Sequence, residues 1–196
     1  MNLLERMAAY SHEASWAVWE IDETGALTGN ATFPLDVAPA HIHGRAMIVS
    51  LNPATSIAPV EVGAVEDWSN FHSTNRKHND LFLAGALLDS PLWGAYMTDL
   101  HPEIVDSKSG NVRPKRDQVE SAVRSLVEQA KLLGGVELIV GVGAKSFTSI
   151  VRHRDHIRRE LGEVEIVRIP HYSRAAAGVH KHDLALYRTL IRAQVG

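Results

Sequence analysis

The chain contains no cysteine, which excludes disulfides, thiolate nucleophiles, iron–sulfur clusters and cysteine-ligated zinc. No stretch approaches the roughly 20 apolar residues of a membrane span, and no basic segment followed by an unbroken apolar core opens the chain. The 196 residues are 45% hydrophobic and 22% charged, a balance typical of a soluble globular protein. We therefore expect a single cytoplasmic domain over residues 1–196. We also expect a monomer.

Several common catalytic motifs are also missing. There is no G-x-S-x-G, and none of the eleven histidines belongs to an H-E-x-x-H. A glycine-rich segment at 141–146 does not fit a phosphate-binding loop, because Ala144 separates Gly143 from Lys145. The glycines there indicate a tight turn from a strand into a helix, with Lys145 near an anion at the helix N-terminus. We expect neither a metal nor another cofactor.

Charge is distributed unevenly along the chain. Residues 145–196 hold 10 Lys and Arg against 5 Asp and Glu, whereas residues 1–144 hold 10 against 18. A basic C-terminal quarter suits an anionic partner such as a nucleic acid backbone. A solvated basic helix face is the alternative interpretation.

Hydrophobic periodicity predicts alternating strands and helices. Apolar runs indicate four strands, at about 46–51, 93–98, 136–142 and 164–169. Helices are expected at about 3–19, from an Asn75 cap to Asp89, at 115–133, from Ala144, and at 183–194. This order predicts an α/β fold, a three-layer α/β/α single domain with a central four-stranded, mostly parallel sheet. An N-terminal helix and a peripheral segment, residues 1–44, precede the α/β core, residues 45–196.

Polar residues follow the predicted strands directly, at the edge where open α/β sheets bind ligands. Asn52 and Pro53 end the first strand, Asp99 ends the second, and His171 follows the fourth. A long loop over residues 54–74 adds to this edge, and loops of that length are usually functional. The alternatives are that Asn52 only caps a turn and that His171 is a loop histidine with hydrogen-bond partners inside the protein.

Four short segments in this order resemble the motifs of the uracil-DNA glycosylase superfamily. They are residues 50–54 (S-L-N-P-A), 70–72 (N-F-H), 98–100 (T-D-L) and 169–174 (I-P-H-Y-S-R). The mismatch-specific branch is the nearest, with a first motif G-x-N-P-G and a second motif of His or Asn, Pro, Ser, and Gly or Pro. This chain keeps Asn52, Pro53, His171 and Ser173. It has Ser50 and Ala54 where the first motif has glycines, and Tyr172 and Arg174 where the second has proline and then Gly or Pro.

The resemblance implies that a base is flipped out of single- or double-stranded DNA and that its N-glycosidic bond is hydrolysed. Asn52 would position the attacking water, and His171 would donate to a carbonyl oxygen of the leaving base. Phe71 would stack on the base, with a core position as its alternative, and Asp99 would either read a base edge or bind a structural partner. The expected contacts to substrate are Leu51, Pro53, Ala54, Phe71, His72, Asp99, Ser173 and Arg174.

Two other functions remain open from the sequence. One is a catalytically divergent nucleic-acid-binding relative, either inactive or differently specific. The other is a small-molecule hydrolase that uses a histidine-rich pocket, with or without a metal.

Overall fold

The computed structural model describes residues 1–30, 32–54, 67–73, 78–106, 108, 110–174 and 177–196. Within these ranges one sheet contains five strands: β1 (Ala14–Trp16), β2 (His43–Ser50), β3 (Ala95–Asp99), β4 (Leu138–Val142) and β5 (Glu165–Ile169). The strand order is β1-β3-β2-β4-β5, and only β1 runs antiparallel to its neighbour. The α/β class and the four parallel strands are confirmed, whereas the count of four omitted β1.

The same ranges contain seven α-helices: α1 (Leu3–Met7), α2 (Asp80–Leu87), α3 (Arg116–Leu133), α4 (Gly143–Val151), α5 (Arg154–Leu161), α6 (Ala177–His180) and α7 (Leu184–Val195). The predictions of α3 and α7 are confirmed. Gly134 ends α3 in a left-handed conformation, and the Asp183 side chain caps α7 by accepting from the Leu186 amide. The predicted cap Asn75 lies outside the described residues. None of the helices described has the length and apolar character needed to cross a membrane.

Hydrophobic cores cover both faces of the sheet. Along β2, Met47 and Val49 pack with residues of α3, while Ala46 and Ile48 pack in a second core with residues of α2 and α7. This alternation follows from the pleat, which points successive side chains of a strand to opposite faces. The arrangement is compatible with three α/β/α layers.

The predicted helix over residues 3–19 is wrong in its second half. A capping box between Asn2 and Glu5 starts α1, but this helix ends at Met7 and a short 3₁₀ turn follows. Residues 14–16 instead pair antiparallel with β3, and all three are buried. Trp16 packs edge-on against Tyr96 with ring centroids 5.1 Å apart. Because all residues of this segment are buried, its apolar positions fit the period of a helix as well as that of a strand. Pairing with the edge of β3 selects the strand.

The strand order creates a switch point at the carboxyl edge of the sheet. The chain leaves β2 to form β3 on one side and later returns as β4 on the other. The two connections diverge there and leave a crevice, the usual ligand position in open α/β sheets. Gly143, with a φ of +78°, forms the predicted tight turn from β4 into α4, and Gly141 lies just before it in β4.

Gly141→Ala should destabilise the fold, because a Cβ at Gly141 would lie 2.6 Å from the backbone Cα of Phe147 in α4. Overpacking against backbone of this kind costs about 1–3 kcal/mol. Chemical denaturation should show that loss, while Gly110→Ala, which adds a Cβ with no neighbour within 4 Å, changes the unfolding free energy little. Equal stabilities of the two variants would contradict the proposed close packing of α4 on β4.

Candidate functional site

The loop after β5 is held rigidly by side chains from three other segments. The successive carbonyl groups of Pro170, His171 and Tyr172 each accept one side-chain hydrogen bond. The donors are Tyr187 Oη at 2.7 Å, His180 Nε2 at 3.2 Å and Asn79 Nδ2 at 2.5 Å, respectively. His180 Nδ1 accepts from the His182 amide, so the neutral His180 ring carries its proton on Nε2, as this donation requires. This loop is therefore preorganised.

His171 is oriented within that loop by its own neighbours. Its Nδ1 accepts from the Ser173 amide at 3.0 Å, so the neutral ring carries its proton on Nε2. The ring stacks on Tyr172, with centroids 4.9 Å apart and planes 17° from parallel. Gly143 also lies close to His171, and a Cβ added to Gly143 would be 3.4 Å from His171 Cβ. Burial, reinforced by His180, lowers the pKa of His171 to about 4, which keeps the ring neutral at physiological pH.

Asn52 joins two loops at the carboxyl edge. Its Nδ2 donates to the carbonyl oxygens of Pro53 and Asp106, both at 2.9 Å. Both partners are acceptors, which fixes the orientation of the amide. Asn52 therefore has a structural role between β2 and the loop after β3, and both hydrogen bonds use Nδ2 rather than Oδ1. Its catalytic role stays a prediction.

A buried carboxylate ends β3 beside this junction. Asp99 is 4% exposed, and its Oδ2 accepts from Asn70 Nδ2 at 3.0 Å. No atom of the described residues hydrogen-bonds to its Oδ1. Burial raises the pKa of Asp99 to about 7; the Asn70 hydrogen bond opposes that rise, and the charges of Asp80 and Glu13 add to it. Asp99 is therefore poised between its two protonation states near neutral pH.

A second buried carboxylate, Asp80, begins α2 close to Asp99. It accepts from the Ser73 amide at 2.9 Å, and burial raises its pKa to about 6. The Tyr172 hydroxyl opposes that rise as a hydrogen-bond donor, and it also lies beside the buried Ser50 hydroxyl. Burial and the two carboxylates raise the pKa of Tyr172 itself. Sequence reasoning missed Asp80, since an acidic residue in a first helical turn ordinarily signals only helix capping.

The other predicted contact residues divide between the edge and the interior. Phe71 packs in the core on the α2 and α7 face, as its alternative interpretation describes. His72 is buried between the rings of Trp19 and Phe33, at centroid distances of 4.9 and 5.5 Å, and burial lowers its pKa to about 3. Leu51 and Pro53 are buried at the end of β2, Ser173 is partly buried, and Ala54 and Arg174 are exposed.

Positive charge gathers at the β4 and β5 end of the carboxyl edge. Lys145 in the first turn of α4 and Arg174 after the His171 loop are both exposed. Arg154, Arg158 and Arg159 are exposed on α5, which packs against α3, so they fit a solvated helix face. No group of three or more His, Asp or Glu in the described part of the chain is arranged to hold a metal ion.

Comparison with known proteins finds no protein-family model and no curated protein that matches this chain.

Asp99→Asn should become increasingly stabilising, relative to the parent chain, as pH rises from about 4 to about 7. In this range Asp99 stays protonated when folded but ionises when unfolded, so its contribution to stability falls with pH. The difference in unfolding free energy should grow by as much as about 4 kcal/mol and then level off. Denaturation across this range measures it, and a difference that does not change with pH would contradict the raised pKa of Asp99.

Proposed function

We propose that this protein hydrolyses the N-glycosidic bond of uracil or another damaged base in DNA. One observation carries the proposal: the rigid loop after β5 presents a neutral histidine whose Nε2 bears the proton. As the bond between the base and the sugar C1′ breaks, its electron pair moves onto the base and negative charge builds on a base carbonyl oxygen. A fixed neutral N–H at that oxygen stabilises this charge.

The remaining groups suit the other half of the reaction. Water supplies the oxygen that bonds to C1′ and releases a proton. The departing base takes up a proton. Asn52, with Nδ2 engaged by two carbonyls, has Oδ1 as the atom that would orient this water. The nearby positive charges of Lys145 and Arg174, and the N-terminus of α4, suit the flanking phosphates.

Removal of the His171 donor should abolish most of the activity. His171→Phe keeps an aromatic ring to stack on Tyr172 but lacks the Nε2 proton, so base excision should fall by about 100-fold or more. The assay uses single- and double-stranded oligonucleotides with uracil, then other deaminated bases, and alkaline cleavage of abasic sites. His41→Phe, at an exposed position before β2, is the matched control and should retain activity.

The same assay separates the proposal from its rivals. DNA binding that weakens with salt and gives no abasic product on any tested base would indicate a binding protein without catalysis. Full excision activity in His171→Phe would remove His171 from the mechanism.

Asn52→Ala should lose excision and should also lower stability by about 1–2 kcal/mol, because two hydrogen bonds to loop carbonyls disappear. Thermal unfolding and the excision assay, run on the same preparation, measure the two effects. Asn30→Ala, an exposed change outside the site, is the control for both. Normal turnover by a folded Asn52→Ala variant would restrict Asn52 to its structural role.

A further inference from the structure

The carboxyl edge contains a second feature, a cleft beside Asp99, to which the proposed excision chemistry of His171 and Asn52 assigns no step. The cleft has a volume of about 320 Å³ and is lined by His12, Glu13, Pro53, Asp99, Pro102, Glu103 and Val105. We call it the Asp99 cleft. Among the lining residues that the structure describes, three are carboxylic acids, and none is lysine or arginine.

Asp99, which lines this cleft, has a hydrogen-bond acceptor that is not used. Asn70 holds Oδ2, which fixes the carboxylate plane, while Oδ1 is buried without a hydrogen-bond partner among the described residues. Burying a carboxylate with one oxygen unsatisfied is costly. A donor supplied from within the cleft would remove that cost, and Asp99 lines the cleft.

Neighbouring charges strengthen the preference for a positive ligand. The negative charges of Glu13 and Asp80 raise the pKa of Asp99, and the charge of Glu103 raises that of Glu13. These shifts show mutual repulsion among carboxylates that a cation would relieve.

The histidines of this region compensate only in part. His12 lowers the pKa of Glu13, less than burial raises it. His101 Nδ1 lies 3.5 Å from Glu103 Oε1, but burial lowers the pKa of that imidazole and disfavours its charged form.

We propose that the Asp99 cleft binds the amidinium or guanidinium group of a small organic cation. One N–H of the planar group donates to Asp99 Oδ1, and another donates to Glu13 or Glu103 nearer the mouth. Pro53, Pro102 and Val105 provide apolar walls for the rest of the ligand. The volume is at the small end of the range for ligand pockets and suits a molecule with one ring. This inference rests on the cleft alone and does not depend on base excision.

Isothermal titration calorimetry of the full chain with benzamidine tests the proposal, with benzamide as the uncharged control. Benzamidine should bind saturably at about pH 8, and benzamide should not. Affinity should fall several-fold by about pH 6, because Asp99, with a pKa of about 7, becomes protonated and no longer attracts the cation.

Asp99→Asn should weaken benzamidine binding by roughly 10- to 100-fold, the effect of losing one charge-assisted hydrogen bond. Glu163→Gln, an exposed carboxylate change outside the cleft, should leave the affinity unchanged. Glu103→Gln removes a half-exposed carboxylate at the mouth, so it should reduce affinity a few-fold and tests the cleft even if Asp99→Asn folds poorly.

Three results would overturn the proposal. They are no saturable binding of benzamidine up to about 10 mM, equal binding of benzamide, or unchanged affinity in folded Asp99→Asn and Glu103→Gln. Base excision measured on the same samples is a separate result, so failure of either proposal leaves the other standing.

Discussion

The position of β2 at the centre of the sheet is the constraint on which the carboxyl edge depends. Residues 46–50 are all buried, because helices cover both faces and strands flank both sides. Ser50 pairs with Asp99, and Val49 pairs with Gly141, so the ends of β2, β3 and β4 lie level. A slip of one residue would turn every β2 side chain to the other face and separate these ends. The hydrophobic register of one strand therefore brings polar residues from three loops together.

The polar groups at this edge are an unfavourable choice for stability alone. Asp80 and Asp99 are each 4% exposed, and both have a raised pKa, which means that the folded state disfavours their charged forms. A titratable residue perturbed by burial and by specific neighbours, and located beside a cleft, is characteristic of functional sites. The three hydrogen bonds to the loop carbonyls near His171 also favour a functional site, because they hold a loop in place without adding apolar burial.

Sequence reasoning predicts the elements whose signals are local. Helix α3 has regular apolar spacing and a terminal glycine, and the central strands β2 and β4 contain continuous apolar runs ended by turn residues. The edge strand β1 was missed because its three residues form a strand only by pairing with Met97 and its neighbours, a contact between residues about 80 positions apart.

The position of the candidate site could also be predicted from local sequence signals, but its hydrogen bonds could not. The strand order places Asn52, Asp99 and His171 at one edge of the sheet. Hydrophobic periodicity is sufficient to predict this placement, because it predicts the strands that these residues follow. It does not show that Asn70 holds one oxygen of Asp99 or that Ser173 sets the tautomer of His171, because these depend on loop conformation.

The two ends of the carboxyl edge differ in charge, and this polarity limits the ligands that fit there. Lys145, Arg174 and the N-terminus of α4 make the β4 and β5 end positive. Glu13, Asp99 and Glu103 make the β1 and β3 end acidic. A uniformly anionic ligand spanning the edge would gain attraction at one end and meet repulsion at the other. A ligand with phosphate at one end and N–H donors at the other would be attracted at both. Ionisation of Asp99 near neutral pH would strengthen this polarity as pH rises.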